Sequence, residues 1–219
     1  MPRFLVPLFL GVTLMAFCAA PAHAFDIPAP AADAPLAAKS GSETIVLAGG
    51  CFWGIQAVFQ HLKGVTSAIS GYSGGEAATA NYAAVSSGKS GHAESVKVTF
   101  DPSQITVGQI LRIFFAVAHD PTELNRQGPD RGTQYRSAIF FSSPEQQKIA
   151  ADYIKQLDAT KIYGDPIVTQ VAPLQKFYPA EDYEQNYATL HPNSPYIIIN
   201  DAPKVEALRK QFPDLYHKG

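Results

Sequence analysis

Residues 44–48 form an unbroken apolar run that closes on Gly49-Gly50, and Phe52, Ile55, Val58, Phe59 and Leu62 then recur at helical spacing. A buried strand therefore hands over to a helix at Cys51. Gly64 ends that helix, residues 65–69 read as a second strand, and residues 71–75 (Gly-Tyr-Ser-Gly-Gly) read as turns. From Glu94 to Phe100, Val96, Val98 and Phe100 alternate with Ser95, Lys97 and Thr99, which predicts a strand with one wet face, ended by Asp101-Pro102. Thr106 with Gln109 has capping-box spacing and opens an apolar helix through Ile110, Leu111, Phe114, Phe115 and Val117. Residues 119–133 form a polar loop with Pro121, Gly128, Pro129 and Gly132, long enough to predict a functional role. A strand over 135–141 follows, then a helix opened by Ser143-Pro144 and running to about residue 158, then a strand over 167–171. Beyond Phe177 the chain reads as irregular and aromatic until a last short helix over 203–211.

The order strand, helix, strand, strand, helix, strand, helix, strand contains a split βαβ arrangement. It predicts an α+β fold in two layers, ferredoxin-like, with a long irregular C-terminal segment. The ends of the chain read differently. Met1-Pro2-Arg3, an apolar run over 4–20 and Ala22-His23-Ala24 have the order of a secretory signal peptide, so cleavage after Ala24 and export to the periplasm are expected. The run is shorter than the ~20 residues of a spanning helix and is broken by Pro7 and Gly11, which argues against a retained anchor. Phe17 before Cys18 argues against lipidation there. Residues 25–42, with Pro28, Pro30, Pro35 and many alanines, are expected to be an extended, poorly ordered leader, and 43–219 a single catalytic domain.

Composition narrows the function classes. With 46% apolar and 16% charged residues the chain is neither disordered nor collagen-like, and 17 basic against 19 acidic residues leave no excess to neutralise a nucleic-acid backbone. Of the two cysteines, Cys51 alone survives loss of residues 1–24. In an oxidising compartment a solitary cysteine is either buried and inert or kept for chemistry. Its place between a glycine pair and a helix N-terminus favours chemistry, because the free N–H groups and dipole of that end lower a thiol's pKa. His61, His92, His119 and His191 show no metal-ligand spacing, so no metal site is expected. Residues 71–75 lack the lysine and hydroxyl residue of a phosphate loop.

Gly50-Cys51-Phe52-Trp53-Gly54, the run 71–75, Asn81-Tyr82, Gly91-His92-Ala93-Glu94, and the loop from Asp120-Pro121-Thr122 to Gly132-Thr133-Gln134-Tyr135-Arg136-Ser137 resemble the A-type peptide methionine sulfoxide reductases over about residues 43–200. The resemblance implies Cys51 as nucleophile, Glu94 as acid, Tyr82, Asp130 and Tyr135 around the sulfoxide oxygen, and Phe52 and Trp53 against the substrate methyl group. It implies methionine (S)-sulfoxide, free or in oxidised proteins, as substrate. It implies no cofactor, an external reductant such as a thioredoxin-like protein or a small thiol, and a monomer. The chemistry asks for the same groups: the sulfoxide sulfur is electrophilic but its oxygen leaves poorly, so a thiolate must attack while the oxygen is protonated. An ordinary glutamate is protonated in only about one molecule in 500 at pH 7, so Glu94 must be desolvated to serve. For Asp130, the neighbouring Arg126, Arg131 and Arg136 offer the alternative of a salt-bridge cluster.

Two departures from the family pattern stand out. No cysteine follows Cys51, although the stretch 193–197 stands where some relatives place a resolving thiol, and this predicts single-cysteine recycling by an outside thiol. Glu184 stands where relatives often carry histidine. Two other functions remain to be weighed, a cysteine hydrolase with His92 or His119 as base, and a non-catalytic aromatic patch that captures methionine-rich peptides.

Overall fold

A computed structural model describes residues 25–218. The expected signal peptide lies outside the described residues. The architecture is mixed α+β, built on a six-stranded sheet in the order β7-β6-β1-β3-β2-β8. Its strands are β1 (Glu43–Gly49), β2 (Val65–Ser73), β3 (Ala93–Phe100), β6 (Ser137–Phe141), β7 (Gln170–Pro173) and β8 (Phe177–Pro179). Neighbours are antiparallel except β6 and β7, which run parallel. The helices are α1 (Phe52–Gln60), α2 (Tyr82–Ser86), α3 (Val107–Ile113), α4 (Pro144–Thr160), α5 (Tyr187–Leu190) and α6 (Ala202–Gln211). None of the described helices is long and apolar enough to cross a membrane.

The unbroken apolar run of β1 has a simple cause: both faces of this strand are covered. Ile45 and Leu47 join the main core with α1, α3 and α4, while Val46 and Ala48 pack with Ala93, Ala138 and Phe140 beneath Leu174 and Phe177. The same cover corrects the expected wet face of β3. Ser95 is fully buried there and donates to its neighbour Ala93 O at 2.9 Å, and Lys97 lays its ammonium 5.3 Å from the Phe177 ring. Leu174 and Phe177, where the chain passes from β7 to β8, are what dries this face.

β8 also corrects the reading of residues 71–75 as turns. β2 continues through Ser73, with Gly71 paired to both Ser95 and Pro179. A Cβ at Gly71 would lie 2.3 Å from Tyr178 O, so glycine is required by the close approach of the neighbouring strand. Further on, the 135–141 strand starts at Ser137 because Thr133–Tyr135 form a 3₁₀ turn, and the 167–171 strand is displaced to β7. The Thr106–Gln109 capping box is present as expected, and α3 runs on into a fully buried π-helical turn, Phe114–Ala118. The polar loop 119–133 holds a small ribbon, β4 (Arg126–Gln127) and β5 (Asp130–Arg131).

The leader 25–42 has no regular secondary structure, yet it is tied down rather than loose. Ile27 is buried in the main core, and its carbonyl accepts two bonds from Arg112. Pro28 O and Ala29 O accept from Tyr153 and Gln156 on α4, and Asp33 accepts from Gly108 N at the start of α3. Prolines and alanines lack periodicity, but an extended strap needs none when its carbonyls meet donors on two helices. Ile27→Ala is therefore expected to lower stability by about 2–5 kcal/mol in urea unfolding, the range for truncating a fully buried aliphatic residue; a loose leader would give a change near zero.

Candidate active site

Cys51 is the N-cap of α1, and the glycines before it are demanded by the loop that covers it. A Cβ at Gly49 would lie 2.8 Å from the His119 ring, and one at Gly50, where φ is +102°, would lie 2.5 Å from the Gln127 side chain. Gln127 in turn bonds Asp120 through both ends of its amide, at 3.1 and 3.0 Å. The 119–133 loop is thus clamped onto the strand-to-helix handover. Its later part, with the 3₁₀ turn after it, supplies Asp130 and Tyr135.

Glu94 reaches the same place from β3. It is 3% exposed, and the Phe52 N–H, one of the free donors of the first helical turn, donates to its Oε2 at 3.1 Å. Burial pushes Glu94 up to about 8, with Asp130, Glu184 and Asp201 adding like-charge repulsion against the Phe52 bond. Glu94 is therefore largely protonated at neutral pH. Cys51, 8% exposed, is also pushed well up, first by burial and then by Glu94 and Asp201, against the pull of the Trp53 N–H and Lys204. This corrects the expectation that the helix end lowers it. In a dry site crowded with carboxylates, the dipole of a nine-residue helix is the weaker influence.

The two adjacent aromatic residues of α1 face different surroundings. Phe52 is buried against Tyr72, ring centroids 5.9 Å apart. Trp53 stacks on Tyr187 at 3.8 Å, meets the edge of Tyr196 at 5.7 Å, and donates from Nε1 to Glu184 at 2.8 Å. Those partners come from the segment read as irregular, and α1 itself places them. Gln56 accepts from Asn186 N at 2.8 Å and Gln60 donates to the Asn186 side chain at 2.6 Å, fixing the left-handed residue that opens α5. Gln185 accepts from Ser70 N and donates to Ser70 O and Ala180 O, which pins the chain beside β2.

Glu181 sets the tyrosines on the other side. It accepts from Tyr72 Oη at 2.8 Å and from Tyr82 N at 2.9 Å, and Asn81 caps α2 through Ala84 N. Tyr82 is 38% exposed and Tyr135 is half-buried. Burial raises both phenols, and both feel the charges of Cys51 and Glu94. Asp130 accepts from Tyr196 Oη, and burial raises its carboxyl. The arginine cluster does not form around it: Arg126 pairs with Glu123 at 2.8 Å, and Arg136 donates to Thr133 O and Gly91 O. All seven sequence-predicted site residues thus meet in one place. Reasoning from sequence missed Tyr187, Tyr196, Asp201 and Lys204, and saw no consequence for Glu184; the crowding of tyrosines beyond Phe177 was the available signal.

The histidines proposed as bases are engaged elsewhere. His92 accepts from Gly75 N at Nδ1 and faces Glu76 O through Nε2, which fixes its tautomer. His119 is buried between Phe114 O and Ser137 Oγ, and burial lowers it to about 4. Neither ring bonds Cys51. Among the described residues, no three His, Cys, Asp or Glu side chains converge to hold a metal ion. A cavity of about 590 Å³ between α1 and β2, lined by Gln56, Gln60 and Gln185, does not include Cys51 among its lining residues.

The profile of the peptide methionine sulfoxide reductase family matches residues 43–216, from the first residue of β1 to beyond α6. The chain belongs to that family. It is 56% identical over 179 residues to peptide methionine sulfoxide reductase MsrA 2 of Mesorhizobium japonicum, covering 82% of this chain and 92% of the relative. It is 49% identical over 174 residues to MsrA 2 of Synechocystis, covering 80% and 81%. Among solved structures, it resembles reduced Mxr1 of Saccharomyces cerevisiae with a TM-score of 0.63 at 33% identity, over 70% of this chain and 87% of that one. Methionine sulfoxide reductase A of Corynebacterium diphtheriae gives 0.60 at 35%, over 71% and 77%. This peptide methionine sulfoxide reductase is accordingly an A-type oxidoreductase, and among its described residues Cys51 is the free cysteine.

Proposed function

We infer that the enzyme reduces methionine (S)-sulfoxide, free or in oxidised proteins, by a single-cysteine cycle. The observation that carries this is a carboxyl pushed up to about 8, in the same pocket as a nearly buried thiol and bonded to the residue that follows it. With Oε2 held by Phe52, Oε1 of Glu94 is left to carry the proton. The sulfoxide methyl group lies against Phe52 and Trp53, and its oxygen meets Glu94 and the neutral donors Tyr82 and Tyr135, with Asp130 at the edge of that group. Cys51 Sγ attacks the sulfoxide sulfur as Glu94 protonates the oxygen. The substrate's S–O bond breaks and its oxygen passes to Sγ, forming the Sγ–O bond as the Sγ–S bond to the substrate breaks, so methionine leaves reduced by two electrons and Cys51 is left as sulfenic acid. The thiol's own proton replaces the one Glu94 gave.

Two equivalents of an outside thiol then return Cys51–SOH to the thiol, with one disulfide and one water as products. A thioredoxin-like protein supplies both thiols from one molecule, whereas a small thiol needs two. The enzyme acts as a monomer without a bound cofactor, in the periplasm, after removal of residues 1–24. The strand order β6-β1-β3-β2, with α1 and α3 as crossovers, supports reading its sheet core as a ferredoxin-like split βαβ unit.

The test is to mix enzyme with a peptide holding both sulfoxide epimers, with and without dithiothreitol, and to follow peptide and protein by mass spectrometry. With dithiothreitol, half of the peptide loses one oxygen. Without it, one equivalent is reduced per chain, and dimedone then adds once, at Cys51. A peptide unchanged in mass would overturn the function. Reduction without a dimedone adduct, with a disulfide-linked dimer on a non-reducing gel, would replace the single-cysteine cycle by resolution from a second subunit.

A further inference from the structure

Behind the first turn of α1 lies an ion pair that the reaction as described leaves unused. Asp201, at the end of a π-helical turn (Ile197–Asp201), is wholly buried, and its Oδ1 meets Lys204 Nζ at 3.3 Å. Among the described residues, its Oδ2 has no hydrogen-bond partner. A carboxylate in this position, bonded once and half unsatisfied, is costly to bury. The helix is shaped to admit it: a Cβ at Gly54 would lie 2.1 Å from Asp201 Oδ1 and 2.9 Å from Lys204 Nζ, so only glycine lets both head groups reach the backbone three residues from Cys51.

The charges around this point come from several elements. Glu94 faces Cys51 from β3; Asp130 and His119 feel Lys204 from the covering loop and its start; Asp201 and Lys204 come from the C-terminal segment; and Tyr82, Tyr135 and Tyr196 feel the Cys51 charge. Glu94 and Asp201 resist the ionisation of Cys51, and Lys204 opposes them.

We propose that Lys204, held by Asp201 against Gly54, is a positioning residue of the reaction, its ammonium serving as counter-charge to the anion that forms at Cys51 Sγ when the thiol gives up its proton. Asp201 fixes the ammonium in place, and its own charge pushes the thiol up by more than Lys204 draws it down. The two halves of the pair therefore act on Cys51 in opposite directions, whereas a pair too far from Sγ to be felt there would leave the thiol's titration unmoved. The proposal rests on Cys51 being the reactive thiol, and its test reads that thiol without any sulfoxide.

The experiment is the pH profile of Cys51 alkylation by iodoacetamide in the full chain. Lys204→Met is expected to move the midpoint up by about one unit, a tenfold loss of thiolate at pH 7, and to slow sulfoxide reduction with it. Asp201→Asn is expected to move it down by about one unit, and Lys204→Arg to restore the wild-type profile. Should Lys204→Met fold poorly with Asp201 left uncompensated, the Asp201→Asn/Lys204→Met double variant carries the comparison, and its midpoint should lie above that of Asp201→Asn alone. Midpoints that stay within about 0.2 units of wild type, or that move the same way in both single variants, would overturn the proposal. Opposed shifts in a protein that leaves sulfoxide peptides untouched would uphold the ion pair's role and sink the proposed reaction instead.

Discussion

Cys51→Ser abolishes sulfoxide reduction while leaving the fold in place. Serine nearly matches the side chain it replaces, and Cys51 makes no side-chain cap bond to α1 whose loss could disturb the helix start. The surrounding core, with Phe52 and Ile55 fully buried on the same helix, is untouched. What is lost is a nucleophile able to ionise. A hydroxyl is far harder to deprotonate than a thiol, and the site that already pushes the thiol up would push the hydroxyl further. His92 and His119, which could have served as bases for a serine, are bonded elsewhere. Turnover with dithiothreitol is expected to fall by more than about a thousandfold, with the urea midpoint nearly unchanged. Residual activity within about tenfold of wild type, a loss of only ~1.4 kcal/mol in barrier, would remove Cys51 from the reaction.

Where local rules decide structure, the sequence was readable. Capping chemistry placed the start of α3 at Thr106 and of α4 at Ser143, and the run 44–48 placed a strand whose end presents Cys51. The errors lie where a distant segment decides. Ser95 reads as exposed until Leu174 and Phe177 cover its face, and Gly71 reads as a turn until Tyr178 O approaches it. The leader reads as loose because its partners, Arg112 on α3 and Tyr153 on α4, lie about a hundred residues away.

The site divides in the same way. Cys51, Glu94, Tyr82 and Tyr135 sit in compact motifs and were named from them. Glu184 meets Trp53 across 131 positions and Tyr196 meets Asp130 across 66, with no periodicity to announce either. The state of the thiol was misjudged for a related reason. A helix N-terminus is visible in sequence, but the carboxylates that outweigh it, Glu94 and Asp201, arrive from a distant strand and from the C-terminal segment.

Glu94→Gln is expected to slow sulfoxide reduction by about 10²–10⁴-fold, the usual loss when a general acid is removed. The amide keeps the size of the side chain, and its oxygen can still accept the Phe52 N–H, so the helix start is held as before. What disappears is the proton for the departing oxygen. The pH dependence carries the sign. With Glu94 titrating at about 8, roughly nine molecules in ten are protonated at pH 7 and about one in ten at pH 9, so the wild-type rate per thiolate, with thiolate read from iodoacetamide alkylation at each pH, should fall as pH rises through that value. Glu94→Gln has no such group, and its remaining activity should lose that alkaline fall. Alkylation of Cys51 by iodoacetamide needs no proton on an oxygen, and the negative charge of Glu94 is among the causes that hold the thiol up. Alkylation of the variant should therefore match wild type at neutral pH and run faster in alkali. If both reactions slowed by the same factor, Glu94 would instead be setting the thiolate, and the acid would have to be sought among Tyr82, Tyr135 and Asp130.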